Sequence, residues 1–501
     1  MSEKEAGQPV EIPDGKPKKK KASFLGSSLI YAAGDLLTKG ARIVLIPYYI
    51  AVFSKPEMGE WGILQAISIA SFTLLTFGLG FATRRFHNQY GEDGDSLITT
   101  FWIGRMLAGL PLFGLLLFAG YTYQQWSSNP IAFSLIGCAI TTGFLRGGTN
   151  IVESWLNIRE EPVKYRAFTF LQFLTTTVLI IYLVSWCKWG LFGAVVGETI
   201  SFAGWTVISA VLLLRRSLPR WRGYNWREIG AYCWPTLPHA FFMWAVMSAD
   251  RLMLQEYVTK TELGVYEIGY SLAGFLSIVV MGLRAAWMPR YFRTADEPDA
   301  GLQYGKFATI YFYLILFTAT AGILLVPELL ALIQLATGKD YTASIDIFRV
   351  VLVGVVALAG FMAFNQPLLY QRRTGLIAIT SGFGFAVNIA CNLMLIPHYG
   401  IMGSAMATVV TYVTMAACML ALVCMQKKIQ WQTKANAFMF LLFAAISSSV
   451  LLLSNEPWGW NLLVKLMLVT IFPLVTLFKF ERNEEQQWKL GFRLSRLKLS
   501  L

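Results

Sequence analysis

Residues 28–49, SLIYAAGDLLTKGARIVLIPYY, decide how the rest of the chain is interpreted. The stretch is long and apolar enough to cross a bilayer, yet it carries Asp35, Lys39 and Arg42. At i, i+4 and i+7 these three fall on one helix face. A charge at bilayer depth costs about 3 kcal/mol even on the mildest insertion scale. Three on one face require a polar interior for that face to look into, and the remaining sequence supplies its walls.

Of the 501 residues, 55% are hydrophobic and 14% charged, where a soluble chain would carry about 25% charged residues. Apolar runs of about 20 residues recur from end to end, the signature of an all-α integral membrane protein. A transmembrane barrel would show short alternating segments instead. The net charge of +13 sits in short loops and tails between the apolar runs. That is topological sorting rather than a nucleic-acid surface. Cys138, Cys187, Cys233, Cys391, Cys418 and Cys424 have no metal-ligand spacing, and His87, His239 and His398 are far apart in the chain. No metal site and no cofactor are expected.

About fourteen transmembrane helices are expected. They lie near 24–52, 61–83, 97–121, 131–155, 167–187, 190–214, 229–249, 263–288, 304–326, 344–368, 376–396, 400–425, 435–454 and 462–478. With the N-terminus inside, the outside segments hold only Lys55, Lys188, Arg251, Lys260 and Lys339. The inside segments hold most of the rest, including the run Lys18–Lys21, Arg84, Arg85, the five arginines of 215–228 and the C-terminal tail. This alternation predicts an even span count and two cytoplasmic termini.

An internal repeat is visible. KPEMGEW at 55–61 matches KTELGVY at 260–266, and GLFGAVVG at 190–197 matches GIMGSAMA at 400–407. The two offsets are nearly equal and both matches keep one membrane orientation, as in a parallel repeat. The expected organisation is therefore a disordered basic tail at 1–22, an N-terminal lobe at 23–214 (spans 1–6) and a cytoplasmic connector at 215–228. A C-terminal lobe follows at 229–425 (spans 7–12), then an extra span pair at 426–480 and a cytoplasmic tail at 481–501. Two pseudo-symmetric six-helix lobes would enclose a central cavity and rock about it. The tail lysines are placed to touch anionic membrane lipids.

The opening SSLIYAAGDLLTKGARIVLIPYYIAVFSKPEMGEWGILQAI, the following FGLGFATRRF, and SADRLMLQEYVTKTELGVYEIGYSLAG before and within the eighth span carry a likeness. Together they resemble the polysaccharide transporter (Wzx-like oligosaccharide-lipid flippase) family of the multidrug/oligosaccharidyl-lipid/polysaccharide (MOP) superfamily. The resemblance implies an inner-membrane transporter that moves a polyprenyl-diphosphate-linked glycan from the cytoplasmic to the outer leaflet for O-antigen, capsule or exopolysaccharide synthesis. It implies partners among other polysaccharide-assembly proteins. Two relatives in transport stay open, a cation-coupled multidrug exporter and a peptidoglycan-precursor flippase.

Such a load needs cations for its phosphates, and arginine binds phosphate oxygens in pairs. The basic residues inside spans are Lys39, Arg42, Arg105, Arg146, Arg284, Arg349 and Lys465, against the acids Asp35, Glu153, Glu198 and Asp346. Arg42, Arg105, Arg146 and Arg284 lead as cavity cations, with Lys39 beside them. Asp35 and Glu198 are the candidates for ion coupling. Each has a plainer explanation. Asp35 and Lys39 are spaced to neutralise each other, Arg146 and Glu153 share a face, Asp346 and Arg349 are near a span end, and Lys465 can snorkel outward. A membrane polymerase or ligase is the rival from another class. No nucleophile motif, phosphate loop or metal cluster supports it, and the longest expected outside segment, 327–343, lacks an acid/base constellation.

Overall fold

The computed structural model describes residues 45–159, 161–371, 373–425, 429–451, 453 and 457–482. Asp35, Lys39 and Arg42 lie outside the described residues, as do the N-terminal tail and residues 483–501. The described residues hold eight stretches of helix long and apolar enough to cross a membrane. Residues 45–52 are helical, the end of the first expected span. Helices α1 (Lys55–Leu75) and α2 (Leu79–Gln89) follow, then α3 (Gly94–Trp126), α4 (Phe133–Ile158), α5 (Pro162–Ile181) and α6 (Gly190–Arg216). The second half contains α7 (Trp226–Cys233), α8 (Thr236–Leu254), α9 (Lys260–Ala273), α10 (Phe275–Thr294) and α11 (Ala300–Thr337). It continues with α12 (Ile345–Phe364), α13 (Gln366–Tyr370), α14 (Thr374–Cys424), α15 (Thr433–Ser448) and α16 (Trp460–Arg482).

The repeat seen in sequence has a backbone counterpart. Helix α1 starts with a capping box in which Ser54 N–H donates to Glu57 Oε2 at 2.8 Å. Helix α9 starts with the same device, Thr259 N–H donating to Glu262 Oε2 at 2.9 Å. The reciprocal bonds satisfy two of the donors that a helix start leaves free. Gly190 and Gly400 match in the same way. Both are left-handed, with φ of 52° and 54°, and both turn the chain from one span into the next. The turn at Gly400 divides α14, whose 51 residues would otherwise extend about 75 Å, far beyond a bilayer core of about 30 Å.

Helices α1 and α9 also meet. A Cβ at Gly59 would stand 2.7 Å from Lys260 O, and a Cβ at Gly264 would stand 1.9 Å from Lys55 O. Each helix start therefore rests on the other through a bare glycine, the reciprocal pattern of a two-fold contact. Lys260 Nζ holds Glu60 at 2.6 Å across the same crossing. Around it, Lys339 Nζ donates to Ala51 O at 2.9 Å and Phe53 O at 2.7 Å, and Asn129 Nδ2 donates to Gln255 O at 2.9 Å. Elsewhere α4 packs on α1, α3 and α6, while α12 packs on α14, α9 and α11.

Two sequence expectations need correction. The outside segment 327–343 is largely helix, because α11 runs through Pro327 to Thr337. Glu328 lies within α11, where Lys465 of α16 reaches it at 2.7 Å with both side chains buried. Lys465 accordingly does not snorkel outward. Pairing offsets part of the desolvation cost that either charge would carry alone and ties α16 to α11.

Candidate substrate-binding site

Helix α1 ends at Leu75 and α2 begins at Leu79. Between them Phe77 and Gly78 adopt φ of 51° and 67°. A left-handed phenylalanine is uncommon and unfavourable, so the span is broken at a fixed place. A broken helix inside the bilayer leaves backbone groups that need partners. Arg105 of α3 supplies one side. Its Nε donates to Leu75 O at 3.0 Å and another guanidinium nitrogen donates to Phe144 O of α4. The guanidinium lies over the Phe144 ring, 4.8 Å from the centroid. Arg105 is only 1% exposed, so in this arrangement it holds α1, α3 and α4 together and presents no face to a cavity.

Arg146 of α4 is placed differently. It is half-buried, and its guanidinium lies 5.4 Å from the centroid of Phe72 and 5.8 Å from that of Phe202. These cation–π contacts leave its hydrogen-bonding edge without a carboxylate among the described residues. Arg284 of α10 is also half-buried and has no ion-pair partner among the described residues. Glu198 of α6 accepts from Gln65 Nε2 at 2.8 Å and pairs with no cation among the described residues. Arg349 lies 3.6 Å from Asp346, itself well exposed.

A cleft of about 300 Å³ opens beside the break in α1–α2. Phe72, Thr73, Phe81, Arg84, Asn150 and Ser154 line it from the first half of the chain, and Thr236 from the second. Arg146, Asn150 and Ser154 follow one another at four-residue steps, so one face of α4 carries all three toward this side.

The second half of the chain has a charged group of another kind. Arg251 of α8 donates from Nε to Glu267 Oε2 at 2.8 Å and from a terminal nitrogen to Asp250 at 3.1 Å. Tyr266 OH donates to Asp250, and Ser271 Oγ donates to Glu267 at 2.8 Å. The Tyr270 ring covers the guanidinium at 4.2 Å. All of these charges are buried.

The sequence reasoning missed two features. Arg84 was counted with the inside positive charges and not as a lining residue. The paired glycines of FGLG (77–80), in a run otherwise suited to continuous helix, were the available signal for the break. Arg251, beside Asp250 at a span end, reads from sequence as a structural or gate contact, and the member the sequence does not show is Glu267, 17 residues after Asp250 with no helical spacing to join them. Among the described residues no group of His, Cys, Asp and Glu is arranged to hold a metal, and the six cysteines are free.

Residues 24–295 match the sequence model of a family described as "Polysaccharide biosynthesis protein". Two Haemophilus influenzae proteins are similar over most of their length. "Lsg locus putative protein 1" is 21% identical over 402 residues, covering 75% of this chain and 94% of the relative. An "Uncharacterized membrane protein" is 21% identical over 411 residues, covering 80% and 95%. Among solved structures, the lipid II flippase MurJ in an inward closed conformation aligns with a TM-score of 0.66 at 12% identity, covering 91% of this chain and 99% of that one. A multidrug resistance MATE family transporter of the MOP superfamily, in an inward-facing conformation, aligns at 0.59 and 13% identity, covering 84% and 96%. The fold is thus the one shared by MATE transporters and MurJ.

Proposed function

This chain belongs to the polysaccharide biosynthesis protein family, multi-pass membrane transporters of the MOP superfamily, and from that premise we propose that it flips a polyprenyl-diphosphate-linked oligosaccharide from the cytoplasmic to the outer leaflet. In this reading, residues 23–214 and 229–425 form two six-helix lobes around a central cavity. The connector 215–228 joins them, and 426–480 adds the last span pair. With both termini in the cytoplasm, the Gly59–Gly264 crossing lies at the outer surface and closes the cavity there. The cleft beside α2 then lies toward the cytoplasm, where the load is made.

The observation that carries the reading is that Arg146 and Arg284, one in each lobe, are half-buried cations without carboxylate partners among the described residues. An intramembrane arginine of this kind is costly unless an anion visits it. A diphosphate supplies paired oxygens at the spacing a guanidinium recognises. Lys39 and Arg42 of the first span are proposed to complete the cationic lining. Asp35 and Glu198 are proposed as ion-coupling carboxylates, Glu198 because only an amide partners it among the described residues.

The test is reconstitution of the full chain in liposomes with a fluorescent polyprenyl-diphosphate oligosaccharide on the protein's cytoplasmic side. Protein-dependent access of an external glycosidase to the sugar is expected. Equal access with and without protein, across several glycans, would overturn the proposal. Export of a cationic dye by the same vesicles would favour the drug-exporter alternative.

A further inference from the structure

We infer that the cleft between α1–α2, α4 and the start of α8 is a dedicated docking subsite for the diphosphate of the lipid-linked load, occupied before translocation and built around Arg84. The inference rests on the flippase reading and assigns a place and a set of residues to the first step of that process.

Four observations converge on this cleft. First, Arg84 lines it, is exposed, and has no ion-pair partner among the described residues. Its neighbour Arg85 is engaged, 4.7 Å from the Tyr232 ring and 3.9 Å from Glu228. The two adjacent arginines are thus used differently, and Arg84 is the one kept available. Second, Asn150 and Ser154 line the same cleft from α4, giving an amide and a hydroxyl that donate to phosphate oxygens. Arg146 sits one turn further along that face, over Phe72, which also lines the cleft. A headgroup leaving Arg84 would meet Arg146 next.

Third, the break in the span supports the same chemistry. The carbonyl end of α1 is closed by Arg105. The N-terminal end of α2 has no side-chain cap, since its cap residue is Gly78, and Gly78 and Gly80 both line the cleft. The hydroxyl of Thr76, which stands nearby, donates back to Phe72 O instead. At the start of α2 the Leu79 and Phe81 N–H groups donate to Thr76 O and Gly78 O, so this end is held in part by the backbone and only its remainder is available to a ligand. A discontinuous membrane helix presents its N-terminal end to anions in this manner. Fourth, the volume of about 300 Å³ is at the lower bound for small-molecule sites. It suits a diphosphate and the first part of a sugar, with the remaining glycan in the aqueous opening. Phe72 and Phe81 add apolar faces for the sugar or the first isoprene unit.

The experiment uses the purified full-length protein in detergent and measures binding of polyprenyl diphosphate, polyprenyl monophosphate and inorganic pyrophosphate by native mass spectrometry. Wild type is expected to bind polyprenyl diphosphate about tenfold more tightly than the monophosphate. Arg84→Ala should weaken diphosphate binding about tenfold, and Arg84→Lys should restore part of it, because charge returns without the paired contact. Ser154→Ala should weaken it by a smaller factor. Inorganic pyrophosphate should compete in wild type but not in Arg84→Ala, which separates headgroup recognition from binding of the lipid tail. Unchanged diphosphate affinity in Arg84→Ala, with wild-type elution on size exclusion, would overturn the subsite. The liposome assay keeps the two proposals apart. Glycan exposure with Arg84-independent binding would sink the subsite alone. Arg84-dependent binding without any glycan exposure would sink the flippase reading alone.

Discussion

The helix pairs α1–α2 and α9–α10 begin with the same capping box and the same glycine, then treat charge in opposite ways. The first pair breaks at Phe77–Gly78, opens a cleft, and stands beside cations that no carboxylate neutralises among the described residues. The second pair continues through Gly274, which has an ordinary helical φ of −57°, and encloses Asp250, Arg251 and Glu267 in one hydrogen-bonded group. Buried charge that is fully partnered holds helices in register. Cations with neither a carboxylate nor a carbonyl partner add no such tie and are suited to a visiting anion. Two copies of one sequence pattern thus differ in how they treat charge, and under the proposed function the first would bind while the second holds the bundle.

The most disruptive way to break this comparison is Arg251→Ala. It would leave Asp250 and Glu267 buried and uncompensated, and a loss of about 3–5 kcal/mol is expected, read as a fall in the detergent melting temperature. A change below 1 kcal/mol would show that the group is not structural. Next come Gly264→Val and Gly59→Val, which force a side chain into the α1–α9 crossing. Overpacking of about 1–3 kcal/mol is expected, with the larger loss at Gly264, where Lys55 O stands closest. Cysteine labelling from the outer side should rise in both, and no change in labelling would show that the crossing does not close that side.

Arg146→Ala and Arg284→Ala sharpen the contrast from the other side. Their melting temperatures should stay near wild type, within about 1 kcal/mol, while glycan exposure in liposomes falls about tenfold. Lysine at either position should restore part of it. A large stability loss with normal translocation would move these residues into the structural class with Arg251.

The smallest expected effect concerns pH. The Ser127 hydroxyl bonded to Glu256 holds that carboxyl below its usual value of 4.5, and backbone donation from Ser128 adds to this. A carboxylate with a depressed folded value stabilises the folded contact above its unfolded value. That contribution is lost as pH falls through the lower one. The link between Ser127 and Glu256 should therefore hold at neutral pH and loosen only in acid, below about pH 4.5. A spin-label distance between positions 126 and 257, both exposed, leaves Ser127 and Glu256 in place and would report it, and loosening between pH 6 and 8 would assign the effect to another group.

Much of the architecture was legible from the chain. Long apolar runs leave a helix no alternative in lipid, since every backbone group must bond within its own segment. The family likeness in the opening stretch and in SADRLMLQEYVTKTELGVYEIGYSLAG is borne out by the family match over 24–295. Residue types also announced intramembrane charge, because a lone Arg or Glu in an apolar run is conspicuous wherever it points. The pairings of those charges were not legible. Lys465 and Glu328 are 137 positions apart and meet only because α16 packs on α11. Arg105 and Arg146 carry the same side chain in similar apolar settings. Yet one is closed onto the carbonyls of a broken helix and the other lies open between two rings.

The stretch at 28–49 shows where that boundary falls. Asp35, Lys39 and Arg42 stand at i, i+4 and i+7 of an apolar stretch, and helical periodicity turns that spacing into the expectation of a polar interior. Which cations line the interior and which brace its walls depends on the helix that arrives opposite each one. Desolvation and hydrogen bonding act over a few ångströms in space, whereas the chain specifies only order along a line. For Arg105 and Arg251 the tertiary structure supplies the bracing partners, and for Arg84 and Arg146 it supplies no carboxylate among the described residues.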